Sequence, residues 1–222
     1  MHSSIYRHSF LKVCASSIAL IFIFLPRLSS GQEIVGRIAK VTGSAKLERG
    51  AKELEAVVAM PVAIGDKIRT MKNAQVTVMF RDGSSAEIGE SSYLTIDNYA
   101  LSGSTRMSSL IELWVGRLRT IVKVATGSEP SFEVHTPNAV VAVRGTDFET
   151  VFVDGRPCPE DHSCMRYTTV GVSKGIVAVS NPANPAAPTE VQAGYETTVA
   201  CESAATSPAP LGMEDLGAPG YH

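Results

Sequence analysis

The stretch Gln75-Val76-Thr77-Val78-Met79-Phe80-Arg81-Asp82-Gly83-Ser84-Ser85-Ala86-Glu87-Ile88 decides the fold class. Val76, Val78 and Phe80 fall on one face of an extended chain, with Gln75, Thr77 and Met79 on the other, which is the two-residue period of a half-buried strand. Asp82-Gly83 then supplies a tight hairpin signal before Ala86 to Ile88 return. The same grammar repeats on either side. Ile34 to Val41 alternates in part and meets a turn at Thr42-Gly43. Strand-like runs recur at Tyr93 to Ile96, Leu110 to Trp114, Leu118 to Val124, Phe132 to His135, Ala139 to Val143, Phe148 to Val153, Tyr167 to Val172 and Ile176 to Val179. Lys52 to Val58 carries a weak helical stripe that Pro61 closes. Strand and turn signals every ~8 to 12 residues predict an all-β single domain of many short strands, irregular β-helix-like or β-sandwich in architecture. Gly43 to Leu47 and Gly175 to Val179 echo one another, each a glycine followed by alternation.

The ends of the chain read differently. Residues 1–12 carry Arg7 and Lys12 and no acid, Val13 to Leu25 is apolar, and Leu28-Ser29-Ser30-Gly31 is rich in small residues. This is the layout of a secretory signal peptide over residues 1–31, with cleavage after Gly31 and no membrane span thereafter. That run of thirteen residues, eleven of them apolar, falls short of the ~20 a spanning helix needs, and a retained, uncleaved anchor is the alternative. From Ser203 to His222 Ala, Ser, Pro and Gly prevail without periodicity, and a disordered tail is expected. The β domain is therefore expected over residues 32–202.

The full chain of 222 residues has Lys+Arg 20 against Asp+Glu 22. Without residues 1–31 it keeps 17 basic and 22 acidic residues, a net charge of -5. No basic footprint exists for a nucleic-acid partner. Export into an oxidising compartment makes Cys158 and Cys164, flanked by Pro157 and Pro159, read as a disulfide closing a surface loop. Cys201 is an open alternative partner for either. Five residues separate Cys158 from Cys164, against the ~2 to 4 usual in structural zinc sites, so neither a metal nor any other cofactor is expected.

Catalytic constellations are sparse. His135, His162 and His222 have no ligand spacing, and no nucleophile elbow surrounds any serine. Asp66, Asp82, Glu87 and Asp147 sit in or beside turns, where acids commonly accept local backbone hydrogen bonds. Trp114 is the single tryptophan. Apolar residues on both sides of its strand predict a central strand covered on both faces, with an exposed contact for a glycan or protein as the alternative.

Taken in order, Gly36, Val41 and Gly43, then Ile64-Gly65-Asp66-Lys67-Ile68-Arg69-Thr70, Phe80-Arg81-Asp82-Gly83-Ser84, Gly116-Arg117-Leu118, Phe132 to Pro137, Val141 to Phe148 and Gly175 to Val179 resemble the FecR domain family of exported β-rich modules. The resemblance runs from about Val35 to Val199. It implies a fold signature and no active site. It also implies a periplasmic or secreted, non-enzymatic binding or signalling module of the bacterial envelope, whose partner is an envelope protein or surface polymer. Some thirty residues precede the domain and read as a cleavable signal, so no cytoplasmic arm to hold a sigma factor is expected. Candidate binding residues lie in turns that could form one rim: Arg69, Arg81, Arg144 and Asp147. The competing expectations are an envelope hydrolase with converging carboxylates and a structural or adhesive surface protein.

Overall fold

The computed structural model describes residues 32–103, 105–124, 132–184 and 187–212. The expected signal peptide, and the tail from residue 213 onward, lie outside the described residues. The architecture below is that of the described residues of the unit Gln32–His222.

Among the described residues every regular element is a strand. They form two sheets. Sheet A runs, neighbour to neighbour, β4 (Pro61–Ala63), β1 (Ile34–Thr42), β6 (Gln75–Phe80), β7 (Ser85–Ile88), the second half of β9 (Thr105–Ile121), β12 (Asp147–Asp154), β13 (Arg166–Lys174), β16 (Tyr195–Ala200) and β17 (Ala209–Pro210). Sheet B runs β3 (Lys52–Glu55), β2 (Ala45–Arg49), β5 (Lys67–Thr70), β8 (Tyr93–Ser102), the first half of β9, β10 (Phe132–His135), β11 (Val140–Val143), β14 (Ile176–Ser180) and β15 (Thr189–Gln192). All neighbours are antiparallel except β9 and β10.

The chain crosses repeatedly between the sheets while advancing along both from the β3/β4 edge to the β15/β17 edge. The architecture is thus a two-sheet sandwich laid down by a coiling path, which unites the two arrangements the turn spacing allowed. Period-two alternation builds its core. Val76, Val78 and Phe80 of β6 are buried as the sequence predicts, and they share one apolar cluster with Leu94, Ile111, Leu113, Phe132 and Val134 of the opposite sheet. Phe80 stacks on Tyr99 at 5.5 Å between ring centroids and meets Phe132 edge-on at 6.4 Å.

The two runs read as separate strands, Leu110 to Trp114 and Leu118 to Val124, join in one strand, β9, which changes sheet and ends at Ile121. The change falls at Gly116, whose φ of 98° is open to glycine and strained for other residues. A Cβ there would also come within 2.2 Å of Ser92 Oγ, the atom that accepts a 3.0 Å hydrogen bond from the Arg117 N–H. Lys52 to Val58 is not helical, because Lys46–Glu53 and Lys46–Glu55 ion pairs and main-chain bonds recruit Lys52–Glu55 as the edge strand β3. That edge is exposed and charged, and the opposite edge of sheet A ends on Pro210; both features discourage edge-to-edge pairing. The two echoing segments become β2 and β14, both in sheet B.

Two expectations are corrected. Residues 203–212, read as part of a disordered tail, fold back along β16: Thr206 Oγ1 accepts from the Thr198 N–H at 3.0 Å, and β17 pairs with Tyr195 and Glu196. The disulfide joins Cys164 to Cys201, with a Cα–Cα distance of 5.8 Å, and Cys158 is a free, buried thiol. The cause is register. Tyr167 of β13 pairs with Ala200 of β16, so the residues just before β13 and just after β16 are brought side by side, although 37 positions separate them.

Candidate functional site

Two regions collect the charged and aromatic residues. The first is one end of the sandwich, built around the Arg81-Asp82-Gly83-Ser84 turn. Arg106, on β9, is buried there and forms an ion pair with Asp82. Its guanidinium also donates to Ser84 Oγ at 2.9 Å, to the Lys123 carbonyl at 3.0 Å and to the Arg144 carbonyl at 3.4 Å. Asp82 in turn accepts from the Ser84 N–H and hydroxyl, while its own N–H donates to Tyr99 Oη at 3.0 Å. Burial pushes the Tyr99 phenol up to about 12. This node ties three turns to one cation and has little solvent contact, so it organises the end of the fold and is not a ligand subsite. Sequence reading passed over Arg106 because nothing local distinguishes it from any other strand arginine.

Of the four rim candidates, Arg81, Arg144 and Asp147 lie at this end. Arg81 and Arg144 are exposed, and Arg81 donates to the Ile34 carbonyl at 3.4 Å. Asp147 is already engaged: Arg119 binds it through both carboxylate oxygens at 3.0 and 2.9 Å, which raises the Arg119 pKa. Arg69 does not join them. It sits on β5 opposite Tyr93, six residues along β8 from Tyr99 and so about 20 Å from that end. The single rim is corrected to two separate places.

The four carboxylates of the hydrolase reading also fail to converge. Asp66 is buried and bound by Arg49, with 2.7 Å from Nε to Oδ1, and it accepts a further bond from the Ala63 N–H. Asp82 pairs with Arg106, Asp147 with Arg119, and Glu87 accepts from Gln75 at 2.5 Å. Each acid meets a donor of its own, and no two of them face each other. The outer face of sheet A is accordingly a ladder of satisfied pairs, with Arg117–Glu149 beside Arg119–Asp147.

The second region is the outer face of sheet B, and it differs in kind. Trp114 is 46% exposed on it, which overturns the expectation of a strand covered on both faces. β9 is central in sheet B, but among the described residues nothing covers the outer side of the strand at Trp114, which stays 46% exposed. Trp114 leans across β8 and donates from Nε1 to Thr95 Oγ1 at 3.0 Å. Beside it Tyr93 carries the Arg69 guanidinium 4.1 Å above its ring and donates its hydroxyl to Glu48 at 3.2 Å. Arg69 reaches the same Glu48 at 3.6 Å. Register places Glu112 opposite Thr95 and beside His135, whose Nε2 lies 2.6 Å from Glu133. The result is one fixed indole in a field of hydrogen-bonding side chains. Among the described residues no group of three metal-ligating side chains gathers.

The model of the family described as FecR protein matches residues 66–158, from Asp66 ahead of β5 to Cys158 beyond β12. Over those residues the chain is similar to the FecR family. The matched stretch holds the Asp82–Arg106 node, the sheet-switching strand β9, and Tyr93 and Trp114. Strands β1 to β4 and β13 to β17 extend both sheets beyond it. A similar fold is seen in two crystal structures, at 1.65 and 2.50 Å resolution, of a protein from Parabacteroides distasonis described as "a putative anti-sigma factor". Both are 18% identical to this chain, with TM-scores of 0.51 and 0.50. Each comparison covers 68% of this chain and 62% of the other, so this chain spans less than two thirds of those proteins. At that identity the likeness is one of fold. The sequence has no significant match among curated proteins.

Proposed function

We propose that this chain is an exported, non-enzymatic binding and signalling module of the bacterial envelope. The FecR domain over residues 66–158 carries this reading, since a FecR domain on an anti-sigma-factor-like fold fits a signalling module. The Cys164–Cys201 disulfide supports an oxidising compartment, hence the periplasm or the exterior. A partner that is an envelope protein or surface polymer, with no nucleic acid and no cofactor, agrees with the acidic charge. The one-to-one pairing of Asp66, Asp82 and Asp147 with arginines supports binding over hydrolysis. Arg81 and Arg144 on the first region and Trp114 on the second are the exposed groups a partner would meet.

The test has two arms. The full chain with a C-terminal tag is followed by cell fractionation, and the purified protein then serves as bait for envelope components, in parallel with Arg144→Ala and Trp114→Ala. Recovery in the cytoplasm with all cysteines reduced defeats the export reading. Retention of the same components by wild type and both variants defeats the assignment of these two surfaces.

A further inference from the structure

We infer that the outer face of sheet B is a glycan-binding platform centred on Trp114, for an uncharged pyranose oligosaccharide. The inference rests on the binding-module reading and names its ligand class.

Three observations select this ligand. An indole that is 46% exposed is not adrift, because its Nε1 bond to Thr95 holds the ring in one orientation over β8. A fixed ring presents its face without an ordering cost on binding. A sugar ring has an apolar face of C–H bonds and an edge of hydroxyls, and the surroundings match both parts. The indole meets the C–H face, while Arg69 offers donors and Glu48 and Glu112 offer acceptors to hydroxyls within the same face. Arg69 is positioned for this by Tyr93 and Glu48 together, at 4.1 and 3.6 Å.

The third observation is the shape of the polar pattern. Trp114, Tyr93, Arg69 and Glu48 occupy the adjacent strands β9, β8, β5 and β2, a row of about 14 Å at ~4.8 Å per strand. That length suits an oligosaccharide laid across the strands. A protein partner would want a contiguous apolar centre from which charges are depleted; here charged side chains border the indole directly. A polyanion is disfavoured by Glu48, Glu112 and Glu133 on this face, and a polycation by Lys46, Lys67 and Arg69. Alternating signs that already satisfy one another leave hydroxyl groups as the complementary chemistry.

Because Trp114 is the only tryptophan, selectively excited tryptophan emission of the intact protein reads this site alone. The protein would be titrated with a mixed-linkage β-glucan, a galactomannan and chitohexaose, with polygalacturonate as the charged comparison. The expected result is a saturable change in tryptophan emission with at least one of the three uncharged glycans, at a dissociation constant of about 1 mM or tighter. In affinity electrophoresis, Trp114→Ala should abolish retardation, Trp114→Tyr should restore part of it, and Arg69→Ala should weaken binding several-fold. Lys40→Ala, exposed on β1 of sheet A and part of neither proposed surface, should bind as wild type does. Circular dichroism of each variant separates lost binding from lost folding, and Trp114→Tyr keeps the test decisive if the alanine variant misfolds. No emission change with any uncharged glycan overturns the proposal, as does equal binding by folded Trp114→Ala. Either failure, combined with a protein partner still retained by the bait, leaves the binding module standing with a different ligand.

Discussion

Replacing Arg106 by methionine tests the central energetic claim of this structure. The Asp82–Arg106 pair is 4% and 1% exposed, and Arg106 donates to Asp82 and Ser84 in the turn before β7 and to the Lys123 and Arg144 carbonyls. Methionine fills similar volume but leaves Asp82 a buried carboxylate without its cation. Breaking a buried pair from one side costs about 3–5 kcal/mol. For a domain of this length each kcal/mol shifts the melting temperature by ~2–4 °C, so Arg106→Met should melt roughly 6–20 °C below wild type by calorimetry of the oxidised protein. The double variant Asp82→Asn/Arg106→Met removes the stranded charge and should melt above Arg106→Met alone, because pair energetics are coupled and not additive. A single variant within ~0.5 kcal/mol of wild type, or a double variant whose losses simply add, would show that the node does not hold the end of the sandwich together.

Three further outcomes follow from individual residues. Cys201→Ser opens a loop of 37 residues and should cost about 4 kcal/mol in the chain-entropy account, whereas Cys158→Ser should leave the Cys164–Cys201 linkage intact in non-reducing peptide mapping; recovery of a Cys158–Cys164 peptide from wild type would contradict the structure. Gly116→Ala meets a strained φ costing about 1–3 kcal/mol and a clash with Ser92, so urea unfolding should shift to lower midpoint, and an unchanged midpoint would mean that β9 does not turn there. Tyr99 is neutral and buried, with its phenol raised to about 12 from an unfolded value near 10. Its contribution is therefore complete below pH 10 and is lost as pH climbs towards 12, about 2–3 kcal/mol in all. Tyr99→Phe should flatten that part of the stability profile, and an unaltered profile would refute the assignment.

Much of the strand inventory was legible from residue pattern. Val76, Val78 and Phe80 are buried where alternation put them, because facing in or out is a local property of an extended backbone. Gly83 and Gly175 mark turns at positive φ for the same local reason. The candidate sites were less legible. Arg69, Arg81, Arg144 and Asp147 share turn-like sequence surroundings, yet β8 separates the first from the other three by most of its length. Trp114 was misjudged because apolar neighbours on both parities signal two covered faces, while the covering of the outer face depends on whether another element packs there.

The sequence by itself settled that this chain is all-β, where its turns fall and which side of most strands faces inward; each of these follows from steric limits and side-chain period over a few residues. It also carried the ordered motifs by which residues 66–158 are similar to the FecR family. Only tertiary structure decided which sheet each strand joins, that Arg106 meets Asp82 24 residues away, that Cys164 takes Cys201, and that the indole of Trp114 stands open. Those outcomes depend on which strands come to lie side by side, and strand pairing is fixed by burial across the whole sandwich, a sum to which no single segment holds the key.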